Sequence, residues 1–410
     1  MTNLPSYAVF AGTSGRCGLG VHTIDWVRPL AEAGYPVTLI AYDKDFFSAY
    51  LKDSPVRVVH LPLPDSGTFQ ETFRAWSRAL KPYPAQRAVL TRGVGGSCSL
   101  SVLAALRYRY PRLYTIEHAM ANLPQIAWGK PELEQSPLRT ARNKLAAWLV
   151  DRSISVAECT RQSVIDQYGF PENKIVTCHN WVDVDRFKPD RETRARLRAE
   201  YGIDENAFVI GFVGRLVKEK RVDVIINGFA EFMASTTRES HLVLVGAGMT
   251  DALRELTTEL KLTDRVHFVG MVSDTAPWMS AIDTLILASD SEAFPLVGLE
   301  AMASGVVFLA QPVGGIPEYV EHGENGFLAN MGTSKQLAVL WLKISNMALD
   351  ERMRIQANAR RTAVEYFRPE VNLSRVLETL DAPVAGDFLR GKESNDGKSG
   401  KTTTQAARMD

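Results

Sequence analysis

Short apolar runs alternate with longer amphipathic stretches along most of this chain. In the first half the runs fall at residues 7–11, 37–42, 56–61, 88–91, 113–117, 154–157 and 175–178. In the second half they fall at 209–213, 242–245, 267–269, 284–288 and 307–310. Runs this short and this continuously apolar fit parallel strands covered on both faces. The stretches between them place apolar residues at helical spacing, as at 21–33 and 72–80. Alternating strand and helix predicts an α/β protein with parallel sheets and helices on both faces. The pattern runs through the chain twice.

With 410 residues the chain is too long for a single core, so two domains are expected. The charged stretch 188–203, with Pro189, sets the boundary. Residues 1–190 then form the first domain and 191–382 the second. Residues 383–410 turn to Gly, Lys, Ser, Thr, Asp and Asn, which predicts a disordered tail.

Lysine plus arginine and aspartate plus glutamate both number 47, a balance that gives no sign of a nucleic-acid partner. Residues 1–190 nevertheless carry 22 basic and 17 acidic side chains. That excess suits an anionic membrane or a phosphorylated acceptor, or simply a solvated surface. The stretch 138–150 is basic and amphipathic, so it either faces the core with a solvated side or lies on a membrane. Cys17, Cys98, Cys159 and Cys178 lack a metal-ligand spacing, which fits a reduced compartment. No leader pattern precedes the first strand and no run of 18 apolar residues occurs. A cytoplasmic protein, peripheral to a membrane at most, is the expectation.

The chemistry concentrates in residues 284–317. Glu292 follows an apolar run, and Glu300 lies in the helix expected next, with seven residues between the two. Pro295 suits the first position of that helix, where its missing N–H costs nothing. Leu296 and Val297 would then offer free amides at the positive end of the helix, a setting that favours phosphate. Glu300, on the same face, would be repelled by phosphate and suits sugar hydroxyls instead. Arg215 follows the run ending at Val213, and Lys220 is expected to start the next helix. A guanidinium fork and a mobile ammonium at a strand end suit a diphosphate.

These motifs resemble, in order, those of the retaining glycosyltransferases of family four. The stretch with Glu292 and Glu300 matches the family's E-x7-E, and Gly214-Arg215-Leu216 with Lys220 matches its G-R-L-x-x-x-K. Residues 243–248, 266–270, 314–318 and 323–328 match its later glycine turns and closing segments. Asn180-Trp181-Val182-Asp183, with Phe187 and Pro189, resembles the N-G-V-D…F-x-P that ends the first domain. The likeness runs over residues 7–370. Three departures stand out. Glu292-Ala293-Phe294-Pro295 replaces Glu-Gly-Phe-Gly, which bears on donor identity. Val306 and Trp181 replace a proline and a glycine, both structural changes.

The resemblance implies the GT-B fold: two doubly wound Rossmann-like domains facing each other across a cleft. It implies sugar transfer, with retention, from a nucleotide diphosphate sugar to a sugar or lipid-linked hydroxyl, in polysaccharide, lipopolysaccharide or glycolipid assembly. Glu292, His118, Arg215 and Lys220 are then the catalytic set. Gly18, Gly20, Arg215, Lys220, Met271, Val272, Pro295, Leu296, Val297 and Glu300 hold the donor. No cofactor and no metal is expected. Asp43-Lys44-Asp45 and Asp183-Val184-Asp185 look like metal motifs of the other large glycosyltransferase fold and are read as structural. Two rival readings are a nucleotide-sugar epimerase and a non-catalytic nucleotide-sugar sensor.

Overall fold

The computed structural model describes residues 4–11, 18–61, 67–91, 99–118 and 137–381. Residues 12–17 of the glycine loop and the 383–410 tail lie outside the described residues. Strands β1 (Tyr7–Ala11), β2 (Val37–Ala41), β3 (Arg57–His60), β4 (Arg87–Leu90), β5 (Arg112–Glu117), β6 (Arg152–Ser155) and β7 (Ile175–Thr177) form one sheet. Its order is β3-β2-β1-β4-β5-β6-β7, parallel throughout. Helices α1 (Gly18–Glu32), α2 (Lys44–Tyr50), α3 (Phe69–Ala79), α4 (Leu100–Arg109), α5 (Pro137–Leu149) and α6 (Glu158–Tyr168) connect it.

A second parallel sheet contains β8 (Phe208–Val213), β9 (Ser240–Val245), β10 (Val266–Gly270), β11 (Thr284–Leu287), β12 (Val307–Ala310) and β13 (Phe327–Leu328). Its order is β10-β9-β8-β11-β12-β13. Its helices are α7 (Arg191–Glu200), α8 (Val222–Ser235), α9 (Thr250–Glu259), α10 (Ala276–Ala281), α11 (Leu296–Ala303), α12 (Ser334–Ser345), α13 (Leu349–Tyr366) and α14 (Pro369–Thr379). Every residue of β1, β8 and β9 is buried, which is why these strands read as continuous apolar runs. The architecture is the GT-B fold.

Both sheets reverse their strand order beside the first strand, at β1/β4 and at β8/β11. Ligands of such sheets bind beyond the carboxyl ends of the strands at these reversals. The two reversals face one another: a Cβ on Gly18, at the start of α1, would lie 3.7 Å from Leu296 Cδ1, at the start of α11.

The chain crosses between the sheets twice. The first crossing is the segment between β7 and α7. The second precedes α14, which returns to pack on α1 and β6. Tyr7 Oη donates to Leu380 O at 2.7 Å, and the Tyr114 hydroxyl donates to the Asp381 carboxylate. The crossings are also tied to each other, because Val182 N donates to Phe367 O at 2.8 Å. On the far side of the second sheet, Arg198 is 1% exposed and donates to the carbonyls of Ala207 and Ala281 and to Asp283. Arg194 holds the other Asp283 oxygen at 2.6 Å, so both carboxylate oxygens are engaged and two guanidiniums share one negative charge.

Candidate active site

Close backbone packing builds the loop after β8. Gly246 approaches so near that a Cβ there would lie 1.8 Å from Gly214 O, and one on Gly248 would lie 2.2 Å from Leu216 O. Leu216 N donates to Ala247 O and Met249 N to Leu216 O, which zips the two loops together. The glycine turns therefore position backbone, and they hold Arg215 at the rim. Arg215 is exposed, with no side-chain partner among the described residues. Lys220 does not start the next helix. It ends a short 3-10 turn, Lys218–Lys220, because Arg221 takes a left-handed φ of 54° before α8 begins at Val222. Arg221 was not singled out from sequence; it bonds Gln311 and Gly332 O and lies 3.6 Å from Asp290.

Lys220 Nζ donates to Glu292 Oε1 at 2.6 Å, with the two side chains 14% and 11% exposed. The Glu292 loop is itself pinned. Gly314, at φ 58°, lies against it so closely that a Cβ would sit 1.6 Å from Glu292 O. Gly315 N donates to Ala293 O at 2.7 Å, and Asn180 Nδ2 reaches across from the first crossing to Phe294 O at 2.7 Å.

Pro295 is the N-cap of α11, not its first helical residue, because its ψ of 122° is still extended. The consequence for Leu296 and Val297 is the expected one. Their first-turn amides have no intrahelical acceptor. They open toward the same gap as the start of α1, whose first turn holds no acidic residue. Gly18 meets Leu296 there, while Gly20 is buried inside α1. Glu300 Oε2 accepts from Thr275 Oγ1 at 3.3 Å. Burial pushes its carboxyl up to about 7, against the pull of Arg186. Asp25 on α1, unnoticed in the sequence, is pushed to about 7 by burial in the same way, with Arg186 and Arg28 opposing and Glu300 adding repulsion. Met271 is exposed and Val272 half-buried, just after β10. Next to them Ser273 O accepts from Tyr50 Oη at 2.9 Å across the cleft.

His118 directly follows β5, with its Nε2 buried and unpartnered. Its ring lies 4.8 Å from that of His22, which lies 4.8 Å from Trp181. Burial and His22 hold His118 well below the usual imidazole value, so it is neutral at pH 7. Trp181 thus walls a buried pair of histidines. No spacing signal links positions 22, 118 and 181. Asp43 caps α2 by accepting from Phe46 N, and Asp183 accepts from Asp185 N and Arg186 N, so each serves a local turn. No group of three or more metal-ligating side chains occurs among the described residues.

His22 itself makes stability depend on pH. It is 1% exposed, and burial lowers its pKa to about 3. An unfolded histidine titrates near 6.5, so below that pH the unfolded state gains a proton that the native state refuses. His22 therefore costs stability as pH falls. Asp25 and Glu300 act oppositely, so the comparison that isolates His22 is wild type against His22→Phe. Between pH 7 and pH 5 the stability difference moves in favour of the variant by about 2 kcal/mol. Urea titrations at both pH values measure it, and an unchanged difference refutes it.

In this GT-B scaffold the starts of α1 and α11 meet at one gap, and Lys220 is paired with Glu292 in the loop that leads into α11. The model of the family "Glycosyl transferases group 1" matches residues 193–362, and that of "Glycosyltransferase Family 4" matches residues 17–186. The chain belongs to the family-four glycosyltransferases. It is 34% identical over 227 residues to the N-acetyl-alpha-D-glucosaminyl L-malate synthase of Bacillus anthracis, covering 54% of this chain and 57% of that one. It is 28% identical over 344 residues to the D-inositol 3-phosphate glycosyltransferase of Frankia alni, covering 77% and 83%. The chain spans about half the length of most curated relatives it matches. Its fold is similar to that of Anabaena Alr3699/HepE, solved with UDP-glucose. There the TM-score is 0.72 at 22% identity, over 92% of this chain and 99% of that one. It is also similar to WaaG, a glycosyltransferase involved in lipopolysaccharide biosynthesis, with TM-score 0.69 and 18% identity over 94% and 100%.

Proposed function

We propose that this protein transfers a sugar, with retention, from a nucleotide diphosphate donor to a hydroxyl acceptor in polysaccharide or glycolipid assembly. The observation that carries the reading is the 2.6 Å pair of Lys220 and Glu292 in the loop that leads to the free amides of α11, with Arg215 exposed just after β8. Residues 191–382 take the donor and residues 1–190 the acceptor.

The diphosphate lies against the Leu296 and Val297 amides and under Arg215. Lys220, released in part from Glu292, stabilises the charge that grows on the leaving phosphate. Glu292 accepts hydrogen bonds from the sugar hydroxyls and Glu300 from the ribose, while Met271 and Val272 border the base. The bond between the anomeric carbon and the phosphate oxygen breaks as the acceptor oxygen approaches the same face. The acceptor's proton passes to the departing phosphate. Neutral His118 supports the sugar by hydrogen bonding.

Because protein cations and helix amides meet the diphosphate, turnover survives exhaustive chelation. Loss of activity restored only by manganese or magnesium would overturn this. Uridine diphosphate is the first ligand to try, since HepE was solved with UDP-glucose. It should raise the melting temperature, whereas uridine should not.

A peripheral, inner-face membrane location for a lipid-linked acceptor draws support from α5. Trp148 is 73% and Leu145 46% exposed there, beside exposed Arg142 and Lys144. Among the described residues no helix is long and apolar enough to cross a membrane. Flotation with vesicles containing anionic lipid should recover the protein, and Trp148→Ala should reduce the bound fraction several-fold. Equal recovery of both would remove the membrane from the reading.

A further inference from the structure

The second sheet carries a cavity of about 460 Å³ at its far side. Its walls come from the first crossing, the start of α7, the end of α10, the residues just before β11 and β12, and α13 from Leu349 to Arg360. These lie at the amino ends of the strands, opposite Lys220 and Glu292.

Four arginines line the cavity, Arg191, Arg194, Arg352 and Arg360, against Asp190 and Asp283. The carboxylates are already engaged: Asp283 with Arg194 and Arg198, and Asp190 with the amide and hydroxyl of Thr193. Arg360 is engaged too, donating to Val184 O, Phe187 O and Ala303 O. Arg191 and Arg352 are not. Neither side chain has a hydrogen-bond or ion-pair partner among the described residues. Ser304 lines the same cavity, is 5% exposed, and its buried Oγ has no partner. The start of α13 adds first-turn amides, because its N-cap, Ala348, has no side chain to satisfy them. Asp350 and Glu351, in that first turn, are exposed and do not line the cavity.

Two unpaired guanidiniums, a helix start and an unsatisfied hydroxyl around one hollow call for an anion with several acceptor oxygens. An apolar guest would leave the forks unsatisfied, and a cation would be repelled. The cavity is large enough for a sugar phosphate. We propose that it is a binding site for a soluble phosphorylated metabolite, held by Arg191 and Arg352 and separate from the donor cleft. Its place gives it leverage. Ser304 caps the C-terminal end of α11, whose other end faces the donor gap. Arg360 ties that same end to the first crossing. A ligand here braces both.

This pocket stands independently of the transferase reading, and its test uses binding alone. Calorimetry is run with inorganic pyrophosphate and with glucose 1-phosphate on an Arg215→Ala/Lys220→Ala variant, which weakens the front position. At least one probe should still bind. Adding Arg191→Ala/Arg352→Ala should weaken it at least about tenfold. The melting temperature without ligand should stay unchanged, since neither arginine has a partner to lose. Hydrogen exchange should slow on ligand addition at residues 184–191 and 303–306. Binding abolished by the front substitutions alone, no binding of either probe at millimolar concentration, or protection confined to the donor loops would each overturn the proposal.

Discussion

Arg215→Ala and Lys220→Ala each weaken nucleoside diphosphate binding by roughly one to two decades, the worth of one charge-assisted partner. The matching nucleoside, without phosphates, binds almost as before. Turnover falls further than ground-state affinity, because negative charge accumulates on the diphosphate as the glycosidic bond breaks. Arg215→Lys recovers only part of the loss, since a point charge does not reproduce a fork. The structure separates the two variants in a second measurement. Arg215 is exposed and unpaired, so its removal leaves the melting temperature unchanged. Lys220 is paired to Glu292 at 2.6 Å with both side chains largely buried. Its removal strands that carboxylate and costs about 1–3 kcal/mol of stability. Lys220→Ala/Glu292→Gln then regains stability without regaining affinity. Calorimetry and urea unfolding decide the matter. Wild-type diphosphate affinity in both alanine variants would move the phosphate position elsewhere.

The second large effect is expected at a residue that touches no ligand. Gly314→Ala puts a methyl 1.6 Å from Glu292 O at a φ of 58°. The left-handed backbone alone costs about 1–2 kcal/mol, and the overlap is with main chain, which cannot rotate away. The Glu292–Ala293 loop must move, and an ångström of misplacement beside the reacting atoms costs about 100-fold. Turnover should therefore drop by about two decades. Gly323→Ala is the control, because its φ of 82° is also left-handed but no atom lies within 4 Å of the added Cβ. It should lose a similar backbone term in stability and keep its turnover. Equal activities in the two variants would mean that Gly314 does not hold the loop.

Strands were readable wherever burial on both faces made an apolar run. The structure places β1 and β12 at the expected residues and extends or trims most others by one or two. The two-residue β13 carries too short a run to be seen. The places of Arg215, Glu292 and the Leu296 and Val297 amides were readable because each lies just after a strand or at a helix start, where local sequence dictates geometry. Lys220 and Pro295 were each misplaced slightly, one by the left-handed turn at Arg221 and the other by an extended ψ. Contacts between distant segments were not readable. His179 lies 3.0 Å from Glu318, and that carboxylate also accepts from the amides of Glu158 and Cys159 at the start of α6. It caps, from the second sheet, a helix of the first. Nothing near position 158 or 318 announces such a partner, and the same holds for Tyr7 with Leu380.

The double crossing has a practical bearing on how this protein can be divided or recombined. A cut at residue 190 severs only one of the two connections. The first-half fragment would lose α14, and with it the acceptor of the buried Tyr7 hydroxyl and the cover over α1 and β6. The second-half fragment would carry α14 with its buried face, including Leu373, Val376 and Leu377, turned to water. A viable exchange of second halves between related chains must therefore be an insertion. The host keeps both its beginning and its last helix, and only the segment between the two crossings is replaced. Inherited exchanges between related chains would be expected to respect the same seams.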